Sequence, residues 1–139
     1  MIELKNPLSN LKKLDNLQNT LDLMYNTLNS MEIMVHECSV LDLKQMLDNG
    51  ENIVLIDVRE PNEFEIAQIN GILIPLSEIQ ERWTEIPKEG KVIIHCRSGV
   101  RSANAIRFLH EQHGYTNLIN LKGGILAWSA EIDPSIPKY

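Results

Sequence analysis

Four short runs of β-prone residues limit the fold most: Ile53-Val54-Leu55-Ile56, Ile72-Leu73-Ile74, Val92-Ile93-Ile94 and Leu118-Ile119-Asn120-Leu121. A strand with one solvated face alternates apolar and polar residues. A run without that alternation belongs to a strand covered on both faces. Stretches with helical spacing separate the runs, so strand follows helix along the chain. That order predicts an α/β fold, a parallel sheet with helices packed on both sides.

Local signals punctuate the pattern. Ser39 followed by Asp42 forms a capping box, opening a helix through Val40, Leu43 and Leu47 that stops at Asn49-Gly50. Pro61 suits the first turn of a short helix through Phe64. Pro75 closes the second run, and Ser77 with Gln80 predicts a capped helix through Ile86. Residues 102–112 carry helical spacing at Ala105, Ile106 and Leu109 and end before Gly114. Gly123-Gly124 breaks the fourth run before a last helical turn around Ala127 and Trp128.

The first 34 residues differ from the rest. They contain no glycine. Leu14, Leu21 and Leu28 recur every seven residues, as do Leu17, Met24 and Met31. This is the stripe of an amphipathic helix, suited to packing on its own domain or on a sister chain, so a homodimer through this helix is one expected partnership. The division expected is a helical extension over 1–34 and one domain over 35–139.

Charge and cysteine usage exclude several classes. Thirteen Lys and Arg against nineteen Asp and Glu give a net charge of −6. That sign opposes general binding to phosphate backbones, so no nucleic-acid partner is expected. Neither a polybasic anchor nor a run near the ~20 apolar residues of a bilayer span is found, so no membrane association is expected. Met1 to Leu11 lacks the pattern of a secretory signal. Two cysteines, Cys38 and Cys96, make no disulfide framework. Free thiols in a cytoplasmic, reducing compartment are the expectation.

Ligands of open α/β sheets bind at the carboxyl ends of the strands. Two segments stand there: Asp57-Val58-Arg59-Glu60 after the first run, and His95-Cys96-Arg97-Ser98-Gly99-Val100-Arg101-Ser102 after the third. In the second, a cysteine follows a buried strand and precedes a helix. Free loop amides, the helix dipole, Arg97 and Arg101 all favour the thiolate, which is the nucleophile. Gly99 lets the loop close tightly.

The loop Cys96 to Arg101, Asp57-Val58-Arg59-Glu60 upstream, and Leu121-Lys122-Gly123-Gly124 with Trp128 downstream resemble the rhodanese family of sulfurtransferases, in family order over about residues 36–139. The family commonly has a Gly-His-Ile-Pro-Gly-like stretch where this chain reads Ala67-Gln68-Ile69-Asn70-Gly71. The resemblance implies a rhodanese-like three-layer fold and a persulfide on Cys96 that carries sulfane sulfur from donor to acceptor. Donors of this class are small anions such as thiosulfate, or a protein persulfide. No bound cofactor is implied, because the sulfur is itself the covalent intermediate. Phe64-Glu65-Ile66, Leu73 to Ile79 and Asp133 to Tyr139 further resemble rhodanese domains fused behind ubiquitin-activating-type adenylation domains. These serve molybdopterin, thiamine and tRNA-thiolation pathways, which implies a sulfur-carrier protein as acceptor.

The same residues bear on other chemistries. Cys-dependent phosphatases share this kind of fold, but their loops are longer. Here four residues, Arg97 to Val100, separate Cys96 from Arg101. The smaller ring suits a sulfur atom better than a tetrahedral phosphate or an arsenate. A non-catalytic binding module is disfavoured because the cysteine is present. Asp57 and Arg59 read either as an ion pair pinning the strand end or as a source of positive field that helps bind an anionic donor. Arg101 closes the loop, whereas Arg97 suits a solvated rim. Ser98 and Ser102 can donate to sulfur, and Ser102 is expected to cap the helix. No metal site is expected: His95 and Cys96 are adjacent in a strand and point to opposite faces. His110 and His113 suit a helix C-terminus. Cys38 reads as a small apolar residue, and Trp83 and Trp128 as packing.

Overall fold

The structure, a computed structural model, describes residues 7–32 and 34–139. The chain divides into two compact units, the first ending at Met34 and the second spanning Val35–Tyr139. The first contains one helix, α1 (Pro7–Glu32). Its stripe residues Leu14, Leu17, Leu21 and Met24 are all more than half exposed. The side chains of Leu28 and Met31, which extend the stripe in the sequence, lie outside the described residues.

In the second unit β1 (Glu37–Cys38), α2 (Val40–Asp48), β2 (Ile53–Asp57), α3 (Pro61–Ile66), β3 (Ile72–Leu73), α4 (Ile79–Arg82), β4 (Lys91–His95), α5 (Val100–His113), β5 (Leu118–Leu121) and α6 (Gly124–Glu131) follow in order. The sheet is wholly parallel, in the order β1-β5-β4-β2-β3. Alternate residues of the buried strands feed two cores. Val92, Ile94 and Cys96 join Ala105, Ile106 and Leu109 of α5 and Ile79 of α4 on one side. Ile93 and Leu121 join Val40 and Leu43 of α2 and Trp128 of α6 on the other. The three layers and the central parallel sheet expected from the sequence are present.

The capping box of α2 forms, with Asp42 N donating to Ser39 Oγ at 3.0 Å and Ser39 N to Asp42 Oδ2 at 3.0 Å. One expectation needs correction. Ser77 does not cap a helix through Ile86: this stretch is one α-turn, α4, between 3-10 turns at Leu76–Glu78 and Trp83–Glu85, and the Ser77 hydroxyl donates to Glu60 Oε2 instead. The Tyr115 hydroxyl lies 2.7 Å from the carbonyls of Trp83 and Ile86, giving these groups a partner without a continuing helix. Strand β1, two residues long, is an addition that the sequence pattern did not show. Among the described residues no helix is long and apolar enough to cross a membrane.

Candidate active site

β4 delivers its last residue, His95, and then Cys96 to the carboxyl edge of the sheet, where the chain turns into α5. The turn is tight because Gly99 adopts φ +101°, a left-handed conformation that suits glycine. The resulting loop folds around sulfur. Cys96 Sγ accepts from Gly99 N at 3.1 Å, from Ser102 N at 3.4 Å, and lies 3.3 Å from Ser102 Oγ. The thiol is fully buried, and these donors stand at the N-terminus of a 14-residue helix. Ser98 and Val100 are the loop's exposed members.

The helix begins at Val100 with Gly99 in the cap position, so Ser102 lies inside the first turn and does not cap it. Its buried hydroxyl serves the interior instead, between Cys96 Sγ and Asn120 Oδ1, the latter at 2.5 Å. Asn120 on β5 was not singled out from the sequence. Nor was the role of the glycine pair: Gly123 and Gly124 start α6 directly against the loop, so that Ile125 N donates to Cys96 O at 3.0 Å and Leu126 N to Arg97 O at 3.1 Å. The first amides of α6 thus hold the two loop carbonyls beside the sulfur.

The arginines divide by role. Arg59 is fully buried, and every N–H of its guanidinium has an internal acceptor: Asp57 Oδ1 and Oδ2, the carbonyls of Glu63 and Ala67, and the Tyr139 hydroxyl. With Asp57 also buried and bonded to Arg59 N, the pair pins the end of β2 to α3. Each guanidinium N–H of Arg59 is thus taken up by an acceptor within the fold. Arg101 pairs with Glu63 of α3, its two terminal nitrogens 2.6 and 2.8 Å from the carboxylate oxygens. Hydrogen bonding to Arg101 holds the Glu63 carboxyl down to about 2, and the same bond raises Arg101. Arg97 is half-buried rather than a solvated rim charge: it donates to the Tyr139 carbonyl, and its guanidinium lies 5.1 Å from the centre of that ring. Glu63 and Tyr139, joined at 2.8 Å, therefore order the arginine rim, and neither was legible beforehand.

His95 is buried on the face opposite Cys96, with Nε2 3.6 Å from Asp57 Oδ2 and without a hydrogen-bond partner. Burial pushes its pKa down, which keeps the ring neutral. Among the described residues no three His, Cys, Asp or Glu side chains are grouped to hold a metal ion. Cys38 is buried in the other core, and burial first, then Asp42, raises its thiol to about 11.

Comparison with known proteins agrees with this architecture. A sulfurtransferase of Allochromatium vinosum is 41% identical over 97 residues, covering 69% of this chain and 90% of that protein. An adenylyltransferase and sulfurtransferase of Candida glabrata is 36% identical over 102 residues, 66% of this chain, but this chain spans only 24% of that longer protein. The crystal structure of a rhodanese-related protein from Thermoplasma volcanium superposes with a TM-score of 0.63 at 33% identity, covering 75% of this chain and 99% of that one. A profile of the rhodanese-like domain matches residues 39–131, the stretch that holds the sulfur-binding loop, its arginine rim and the glycine pair, and the chain belongs to the rhodanese-like domain family.

Proposed function

We propose that this chain is a sulfurtransferase that carries sulfane sulfur as a persulfide on Cys96. The carrying observation is the set of donors converging on Sγ from Gly99 and Ser102 at a helix N-terminus. Such donors stabilise a sulfur anion, which both the attacking thiolate and the persulfide present. In the first step Cys96 Sγ attacks the sulfane sulfur of the donor. A Cys96 S–S bond forms as the donor's bond breaks, and the electron pair leaves with the remnant, sulfite when the donor is thiosulfate. In the second step an acceptor such as cyanide or a thiolate takes the terminal sulfur, and the pair returns to Cys96. No other group need be bound, because the chain supplies the nucleophile and the donor supplies the sulfur.

Arg101, aligned by Glu63, and Arg97 give the rim its positive charge, while Ser98 and Val100 are the loop residues that an approaching partner meets. Relatives that join adenylyltransferase and sulfurtransferase in one protein support a sulfur-carrier protein as acceptor, with thiosulfate or a protein persulfide as donor. The four-residue spacing from Cys96 to Arg101 supports sulfur over phosphate chemistry. The test is turnover of thiosulfate with cyanide beside hydrolysis of aryl phosphates, in the native protein and in Cys96→Ser. Sulfur transfer that disappears in Cys96→Ser, with negligible phosphatase activity throughout, is expected. Transfer surviving the substitution, or faster phosphate hydrolysis than sulfur transfer, overturns the reading.

A further inference from the structure

We infer that Asn120 is a positioning residue for the sulfur of Cys96, orienting two of the three groups that donate to it, the Gly99 amide and the Ser102 hydroxyl. The inference rests on the sulfurtransferase reading and extends it to a residue on a different strand. Asn120 occupies a core-facing position of β5 and is 1% exposed. Its amide is fully committed. Nδ2 donates to Gly99 O at 3.0 Å and to Glu37 Oε2 at 3.1 Å, and Oδ1 accepts from Ser102 Oγ at 2.5 Å. Both partners of Nδ2 can only accept, so the amide has one consistent orientation.

That orientation bears on sulfur twice. Through Gly99 O it holds the left-handed glycine whose N–H reaches Sγ. Through Oδ1 it competes for the single proton of the Ser102 hydroxyl. With a neutral thiol, the S–H donates to Ser102 Oγ, and the hydroxyl donates to Asn120 Oδ1, so every group is satisfied. When the sulfur is anionic it has no proton to give, and the hydroxyl can turn from Oδ1 to Sγ, adding a third donor. The hydroxyl proton only changes acceptor, and no bond to it breaks. Asn120 thereby keeps Ser102 between two acceptors whose balance follows the charge on sulfur. The charged groups around this arrangement are Glu37 at the far end of the amide and Arg101 on α5, which interacts electrostatically with Cys96. His95, on the other face, is buried and neutral.

The test is the rate of Cys96 alkylation by iodoacetamide against pH, in a Cys38→Ala background, for native protein, Asn120→Asp and Asn117→Asp. Asn120→Asp preserves size and the acceptor for Ser102, but turns the Nδ2 donor into an acceptor facing Gly99 O and Glu37, and adds negative charge. Its profile is expected to move to higher pH, with alkylation near neutrality falling about tenfold, a change of roughly 1.4 kcal/mol. Asn117 on the same chain segment donates to the carbonyls of Pro87 and Gly90, away from the loop. Asn117→Asp makes the same chemical change and should lower thermal stability without moving the profile. Adding Glu37→Gln to Asn120→Asp supplies a donor to the new carboxylate and should recover part of the shift. Should Asn120→Asp fail to fold, Asn120→Ser, too short to reach both partners, is expected to shift the profile in the same direction. A folded Asn120 variant whose profile superimposes on the native one, or an equal shift in Asn117→Asp, overturns the inference. Alkylation does not require turnover, so this outcome is separable from any failure of the sulfurtransferase assay.

Discussion

Replacing Gly124 with alanine should damage the sulfur-binding loop more than any ordinary glycine substitution. Gly124 has φ +58°, and a Cβ built there lies 2.5 Å from the carbonyl oxygens of both Cys96 and Arg97. Both neighbours are backbone, so neither can swing aside. The left-handed conformation costs about 1–2 kcal/mol for a residue with Cβ. Displacing the carbonyls weakens the bonds from Ile125 and Leu126, about 1 kcal/mol each, and overpacking adds about 1–3 kcal/mol. Against a gain of about 0.4–1 kcal/mol from a stiffer unfolded chain, the net loss is about 4 kcal/mol. For a domain of this size that is a fall in Tm of roughly 15 °C. Gly50 is the control: φ is +67° and nothing lies within 4 Å of its added Cβ, so Gly50→Ala pays only the conformational part, about 1 kcal/mol. Thermal unfolding of the two variants isolates the steric part. A Gly124→Ala protein within about 0.5 kcal/mol of Gly50→Ala, with native sulfur transfer, refutes the claim that α6 buttresses the loop.

Two further outcomes follow from the arginines. The Glu63 carboxyl sits near 2 in the folded protein against an ordinary value of 4.5, so its pairing with Arg101 stabilises the fold above about 4.5 and is lost as pH falls through about 2. Allowing for solvent around Arg101, urea unfolding at pH 7 should show Glu63→Gln less stable by roughly 2 kcal/mol, with the difference vanishing on acidification; a pH-independent difference refutes the pairing argument. Arg59→Lys removes most of a buried guanidinium's contacts and should cost about 3 kcal/mol or more, measured as a fall in Tm. An unchanged Tm with a raised KM for thiosulfate would instead return Arg59 to a substrate-binding role.

The sequence reveals what is periodic or local. Unbroken apolar runs located β2 and β4, a β-prone run interrupted only by Asn120 located β5, and the Ser39–Asp42 capping box needs only three residues of spacing. Strand β1 pairs through just Glu37 and Cys38, too short for any period to show. The stretch from Ser77 to Ile86 carries a capping signal that loses to a tertiary one, the Ser77 contact with Glu60. Within the site, the residues on the Cys96 loop were visible because they are contiguous. Ser102 was misassigned because Gly99, three residues earlier, already occupies the cap position of the helix. Glu63, Asn120 and Tyr139 stayed hidden because their roles depend on approach across 38, 21 and 80 residues of chain, to Arg101, Gly99 and Arg59. For Arg59 the sequence offered two readings, and the acceptors around its guanidinium, which come from Asp57, Glu63, Ala67 and Tyr139, carry no local signal that could have weighed them.

The most direct test is to treat the protein with thiosulfate, remove excess donor, and locate the added sulfur by peptide mass spectrometry. One extra sulfur atom on the peptide holding Cys96, removed by cyanide with release of thiocyanate, is the expected result. The Cys38 peptide should remain unmodified, since burial keeps that thiol protonated up to about 11. Sulfur found on Cys38, or turnover with no sulfur on Cys96, contradicts the account.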